Sequence, residues 1–330
     1  MASKESTHLW VGSFIFMGNK PFKTYDEQIN ILKSRGLIFD SETDAKIFLE
    51  ANSYYNVING YKEAFIIKPE ERYMPDTKFE YIKALYLFDK KLRHSILSIL
   101  LEIETELKSV VAYEFAKAHG ECGYLAPDNF RAGKEDFVAR LQQHIEDWKS
   151  SSNISYHNIK HYATLHGEIP VWVLCSHLNL SDLSKFYANM LPTDQQAVCD
   201  HLVAINSKPF NTQFLYRGLW ILSEIRNLCA HNQRLYTFRS THHLQAKSNA
   251  YIKSLLSIFG KNFNYDNIIS VAIVLYHLAN KEQIQNCLGG FAAAASELLN
   301  LPVQFTIALA SQHRSLYDFI KIVIDITKIE

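Results

Sequence analysis

The stretch Leu85-Tyr-Leu-Phe88-Asp-Lys-Lys-Leu92-Arg-His-Ser-Ile96-Leu-Ser-Ile99-Leu-Leu-Glu-Ile103-Glu-Thr-Glu-Leu107-Lys-Ser-Val110 decides the fold class. Its apolar residues at 85, 88, 92, 96, 99, 103, 107 and 110 step by three or four, which draws a stripe down one face of an α-helix. Lys90, Lys91, Arg93, Glu102, Glu104 and Glu106 fall mostly off that stripe. The pattern predicts one helix from Phe79 to Ala118, ending near Gly120. A helix of this length usually forms the spine of a bundle.

Outward from this spine the chain reads as helix nearly everywhere. Thr24 and Glu27 form a Thr-x-x-Glu capping box for a helix that Gly36 stops. A second short helix is predicted from Glu42 to Tyr54, capped by Ser41 or Asp40, with Ala45, Phe48 and Leu49 inward. Tyr54 to Pro75 reads as turn or loop with at most one further element, so residues 1–75 form a small helical N-terminal unit ahead of a helical domain over 76–330. Residues 120–165 are polar and His-rich, with a loop at Ser150–Ser152. Pro170 to Asn189 reads as one helix, and Pro192–Thr193 with Gln196 opens another. Asn211 or Thr212 can cap the next, with Phe214, Leu215, Leu219, Leu222, Ile225 and Cys229 on its buried side. Further helices are predicted near 249–259, 266–280, 282–300 and 302–327. No internal repeat and no alternating strand pattern stands out, so the fold class is all-α.

Composition excludes several functional classes. The chain has 330 residues, 48% hydrophobic and 21% charged, with 34 Lys+Arg against 34 Asp+Glu. Zero net charge argues against a uniformly basic nucleic-acid binder but leaves room for a local basic site. Five Cys at 122, 175, 199, 229 and 287 are widely spaced, with no Cys-x-x-Cys, which fits a reducing cytosol better than a disulfide framework. The apolar runs Leu9–Met17 and Ile268–Ala279 are too short to span a bilayer, and Glu5 precedes the first with no cleavage site after it. The expectation is a soluble, cytoplasmic protein without a membrane segment.

The segment that carries chemistry is Ile225-Arg-Asn-Leu-Cys-Ala-His231-Asn-Gln-Arg-Leu-Tyr236. Arg226 and His231 give Arg-x4-His, the only Arg-x4–6-His match in the chain, though chance alone supplies about one among 10 Arg and 14 His. Imidazole titrates near neutral pH and serves as acid or base, while guanidinium stays charged and forks onto two phosphate oxygens. A separation of five residues puts the two side chains about 140° apart on an unbroken helix, so the helix must end or distort near Ala230–His231 for both to reach one phosphate. Charge agrees locally: residues 201–260 hold seven basic residues, Arg217, Arg226, Arg234 and Arg239 among them, against the single acid Glu224. Interleaved Tyr216, Trp220, Tyr236 and Phe238 complete the composition of a single-stranded RNA groove, or else belong to the core.

With its flanking Asn227, Ala230 and Arg234-Leu235-Tyr236, this segment resembles the signature of bacterial abortive-infection (AbiD/AbiF-like) proteins of the HEPN ribonuclease superfamily. Lys20–Ile29, Gly36-Leu-Ile38, Tyr54-Tyr55 with Gly60-Tyr61, Ile169-Pro-Val-Trp-Val173 and Leu183-Ser-Lys-Phe-Tyr187 resemble further family segments. The likeness covers roughly 20–240 and does not extend visibly over 250–330. One departure stands out: family members commonly carry a Glu after the Pro-x-Trp segment, where this chain reads Leu174-Cys-Ser-His-Leu-Asn-Leu180.

The resemblance implies a HEPN-like helical bundle acting as a metal-independent endoribonuclease, the toxic effector of an anti-phage or toxin–antitoxin system. It implies a homodimer and a controlling RNA or protein antitoxin. Arg226 and His231 would be catalytic, Asn227 would orient the imidazole or a phosphate, and Arg217, Arg234, Tyr236 and Arg239 would contact single-stranded or looped RNA. No cofactor and no metal is expected. His157 and His161 share a helical spacing with His166 nearby, but no Cys or Asp completes a ligand set and the surroundings read as a surface loop. The alternative is a non-catalytic HEPN-like module that binds RNA or protein, with Arg226 merely paired to an acid and His231 capping its helix.

Overall fold

The computed structural model describes residues 21–244 and 267–312. Most of these are helical, and the only strands among them are two residues each. The expected 249–259 helix, the Leu9–Met17 run and the chain beyond Gln312 lie outside the described residues.

The N-terminal unit begins with α1 (Tyr25–Ser34), whose Thr24–Glu27 capping box forms as read, and α2 (Glu42–Asn52), capped by the Ser41 hydroxyl on the Asp44 amide. After Ser53, held at φ 66°, the chain makes a π-helical turn over Tyr55–Asn59 and a 3-10 turn over Lys62–Phe65. A hairpin follows, β1 (Ile66–Ile67) pairing antiparallel with β2 (Arg72–Tyr73). Phe39 and Phe48 pack on Phe79 at the root of the spine, with ring centroids 5.5 and 6.0 Å away.

The spine is α3 (Phe79–His119), 41 residues and therefore about 60 Å long. All eight stripe residues from Leu85 to Val110 are buried. So are Asp89, Arg93, Glu104 and Glu114, which brings inward two of the charged residues that fall off the stripe, Arg93 and Glu104. The reason is that α3 is enclosed on several sides. It packs against α6 (Val171–His177), α8 (Pro192–Asn206), α9 (Thr212–Ala230) and α11 (Lys281–Leu299). Polar links reinforce the α3–α8 contact: His119 Nε2 lies 2.8 Å from Asp194 Oδ2, and His201 Nδ1 2.8 Å from Glu114 Oε1.

The polar 120–165 region is more helical than its composition indicates. It holds α4 (Glu135–Ser150), which buries Phe137, Val138, Leu141 and Ile145, and α5 (His157–His166). The His residues therefore stand on an exposed helix, not in a loop. The expected single helix over 170–189 is split into α6 and α7 (Leu180–Asn189), because Asn179 turns its side chain onto the Asp182 amide and starts a new helix. Pro192 occupies the first turn of α8, whose N-cap Leu191 supplies no side-chain bond.

Beyond the signature region, α10 (Ile268–Leu278) packs on α9, and α11 runs along α3. α12 (Val303–Gln312) brings Phe305 against Tyr81 and Phe65, at 4.8 and 5.9 Å. The C-terminal helices thus complete the core instead of forming a separate appendage. No helix of the described residues is long and apolar enough to cross a membrane.

Close approach of α9 and α10 depends on Gly218. A Cβ there would meet Val274 Cγ1 at 3.0 Å and Cγ2 at 3.4 Å. Gly218→Leu should overpack this crossing and cost about 1–3 kcal/mol, read as a lower urea midpoint at unchanged m-value.

Candidate functional site

α9 carries the Arg-x4-His segment. The Asn211 side chain caps its start by accepting from the Phe214 amide at 2.9 Å. Phe214, Leu215, Leu219, Leu222, Ile225 and Cys229 are all buried, as the spacing required. The helix ends at Ala230, His231 is its C-cap, and Asn232 follows in the left-handed region at φ 53°. No Gly or Pro produces this stop. The chain leaves the helix because the next residues are held elsewhere.

What holds them is Asp89. Its carboxylate is fully buried within the N-terminal third of α3. Oδ1 accepts from the Tyr236 amide at 2.7 Å and the Leu235 amide at 3.2 Å. Oδ2 accepts from the Tyr61 hydroxyl at 2.6 Å and pairs with the Arg93 guanidinium, which also donates to the Tyr61 oxygen at 3.1 Å. Burial raises the Asp89 pKa, against the Arg93 charge and the donors from Tyr61, Leu235 and Tyr236, which favour the carboxylate. Around this centre Tyr236 stacks on Tyr61 with centroids 5.2 Å apart, and both Tyr236 Oη and Arg234 donate to the Gly60 carbonyl, at 3.2 and 3.0 Å.

This arrangement corrects the expected role of Tyr236. The side chain is 4% exposed and burial pushes its hydroxyl up to about 12, so no base can stack on it. Arg234 spends one nitrogen on Gly60 while its residue stays on the surface. Asp89 and Tyr61 were not singled out from the sequence as anchors, although Asp89 is an acid four residues after Leu85 and three before Leu92, on the apolar face.

His231 is exposed, and among the described residues its ring has no hydrogen-bond or ring partner. It lines an open polar groove of about 790 Å³ between the N-terminal unit and the end of α9, together with Lys90, Arg234, Asn232, Gln233, Tyr55 and Asn59. Arg226 does not line this groove. It is one-third exposed, and its Nε lies 3.7 Å from Glu104 Oε2, whose other oxygen takes Lys108 Nζ at 2.8 Å. Glu104 is eleven residues from Arg93, on nearly the same side of α3 and about 16 Å further along. Within one chain, Arg226 therefore stands beside Glu104, outside the groove that His231 lines. Glu104, the charge partner of Arg226, was another residue not singled out.

The remaining candidates are dispersed. Asn227 is exposed, and its backbone carbonyl accepts from the His231 amide at 3.0 Å. Arg217 lies against the Tyr216 ring, 5.9 Å from its centroid, on the α9 segment that packs toward α10. Arg239 is exposed on the stretch after the Asp89 anchor. Glu224 pairs with neither Arg217 nor Arg226. It accepts from Ser240 Oγ at 2.5 Å and from Thr241 and His242, pinning that stretch to α9, while His242 stacks on Trp220 at 5.3 Å. Burial raises the Glu224 pKa, but these hydrogen bonds outweigh it and hold the carboxyl below its ordinary value. Among the described residues no three His, Cys, Asp or Glu side chains converge as metal ligands. The His157 and His161 rings are 6.5 Å apart on α5.

The anchor gives a stability prediction. Asp89→Ala strands a buried guanidinium and two backbone N–H groups, and should lower the unfolding free energy by about 3–5 kcal/mol in urea titration. Tyr236→Phe removes only the hydroxyl, with its bond to the Gly60 carbonyl, and should cost only about 0.5–1.5 kcal/mol. Equal effects would show that Asp89 is not the centre of the network.

No curated protein and no solved structure matches the chain. A family model does: residues 47–237, more than half of the sequence, match that of the Abi-like proteins. The match takes in α3, the Tyr61–Asp89–Tyr236 network and the whole Arg226–His231 segment, so the chain belongs to the Abi-like, abortive-infection family.

Proposed function

We propose that this protein is a HEPN-type, metal-independent endoribonuclease, the toxic effector of an abortive-infection or toxin–antitoxin system. The observation that carries the reading is the placement of His231. It is an imidazole at a helix end, unpartnered among the described residues, in a polar groove with Lys90 and Arg234, one and a half helical turns from a part-exposed arginine.

In the proposed reaction a ribose 2′-oxygen attacks the adjacent phosphorus, the P–O5′ bond breaks, and the products are a 2′,3′-cyclic phosphate and a 5′-hydroxyl. His231 takes the 2′ proton or delivers one to the leaving oxygen. Arg226 stabilises the charge on the phosphoryl oxygens, held in position by Glu104, and Asn227 orients the imidazole or the phosphate. Arg217, Arg234 and Arg239 contribute phosphate contacts. Neither proton step calls for a divalent ion.

A homodimer is part of the proposal. One His cannot comfortably serve as both acid and base, and within one chain Arg226 stands outside the groove that His231 lines. Lys108, which shares Glu104 with Arg226, also lines an open groove between α3 and α6, bordered by the part-exposed Tyr113 and Trp172. A second copy seated there would bring the two Arg226 residues toward one cleft. A controlling RNA or protein antitoxin follows from the toxicity of an unrestrained ribonuclease.

His231→Ala should lower RNA cleavage by roughly 10²–10⁴-fold with an unchanged circular-dichroism spectrum, and Arg226→Ala should do likewise. Mixed Arg226→Ala and His231→Ala subunits should recover activity if the site is shared. Cleavage should survive EDTA, spare 2′-deoxy substrates and fall steeply with salt. Wild-type cutting by folded His231→Ala protein would overturn this site, and RNA binding by a wild-type protein that cuts nothing would select the non-catalytic binding module instead.

A further inference from the structure

The groove that holds His231 has a second wall, built by the N-terminal unit, that the proposed chemistry does not use. Tyr55 stands on it with 72% of its surface exposed and no ring stacked against it among the described residues. Asn56 and Asn59 follow on the same π-helical turn, both exposed, and neither side-chain amide has a hydrogen-bond partner among the described residues. On the floor, Lys90 is half-buried without an anion among the described residues, and Arg234 keeps donors beyond the one it gives to Gly60. Among the described residues the sole acid lining the groove is Glu50.

Each of these features costs something unless a ligand uses it. A large apolar ring facing water gains nothing from its exposure. A lysine drawn halfway into the protein loses hydration that no carboxylate replaces. Backbone held in the left-handed region at Ser53 and Asn232, one on each wall, also requires support from its surroundings. The volume, about 790 Å³, falls within the roughly 300–1,000 Å³ typical of small-ligand sites. An exposed aromatic face, free amides and unpaired cations in one concavity are what an unstacked nucleotide needs: a platform, edge readers and a phosphate clamp. An acidic peptide would use the cations but leave the ring and amides idle.

We propose that this groove binds single-stranded RNA one nucleotide at a time. Tyr55 stacks on a base, Asn56 and Asn59 read its edge, and Lys90 with Arg234 holds the adjoining phosphate. The inference rests on the RNA reading above and extends it: the N-terminal unit is the specificity half of the site, and His231 lies at its boundary with the reactive half.

The test uses the full-length protein and short 2′-O-methyl RNA oligonucleotides, which the proposed reaction cannot cut, with affinity read by fluorescence anisotropy. Tyr55→Ala should weaken binding by about 5- to 100-fold, the loss that follows removal of one base–aromatic stack, and Tyr55→Phe should stay within about twofold of wild type. Asn56→Ala with Asn59→Ala should level the affinities for the four homopolymers while leaving their mean close to wild type. Wild-type binding by Tyr55→Ala protein would overturn the inference, as would polyglutamate competing as well as RNA. The two proposals separate cleanly. Tyr55-dependent binding by a protein that leaves unmodified RNA uncut removes the nuclease reading and keeps the groove, whereas Tyr55-independent binding by a protein that cuts unmodified RNA does the reverse.

Discussion

A carboxylate buried on a long helix must be met by donors or it destabilises the fold by several kcal/mol. Asp89 is met by four groups from three parts of the chain: Tyr61 of the N-terminal unit, Arg93 of its own helix, and the backbone amides of Leu235 and Tyr236 beyond α9. The consequence is geometric. The polypeptide cannot continue helically past Ala230 and still place residues 235 and 236 on Asp89. His231 therefore sits at a helix end by force of an interaction five residues further on. The same carboxylate ties the N-terminal unit to the spine through Tyr61, which fixes both walls of the groove by one desolvated charge.

Two kinds of charged residue follow from this arrangement. Arg93, Glu104 and Glu114 are buried with charged partners, Asp194 is buried against His119, and these interactions hold helices at set positions. Among the described residues His231 and Lys90 stand apart from such pairing, in a concavity where the N-terminal unit, α3 and the end of α9 meet. Arg226 is intermediate: its contact with Glu104 is long, at 3.7 Å, and its Nε lacks a hydrogen bond, so Glu104 orients the guanidinium without saturating it. Segments far apart in sequence, Gly60–Tyr61 and Arg234–Tyr236, prove to be two halves of one contact.

Local patterns in the sequence were sufficient for much of the architecture. The three-and-four stepping from Leu85 to Val110, the Thr24–Glu27 box, the Asn211 cap and the buried side of α9 are properties of a single helix, and each formed where its spacing placed it. The polar helices α4 and α5 were less visible, because each buries only a few side chains and displays His, Lys and Gln elsewhere. The break between α6 and α7 turned on the single side-chain cap of Asn179, in a stretch whose composition is otherwise continuous.

By itself, then, the sequence determined the all-α class, the spine, and the Arg226–His231 spacing at the end of a helix, since these depend on period and neighbours. Only the tertiary structure decided what each side chain faces. It made Tyr236 a buried support instead of an RNA contact, turned Arg93 inward to Asp89, set Glu104 beside Arg226, and opened Tyr55 to the groove. The physical reason is that burial and pairing of charge are long-range properties. Residues 61, 89 and 236 are strangers along the chain, and only packing around α3 makes one carboxylate the common partner of the other two.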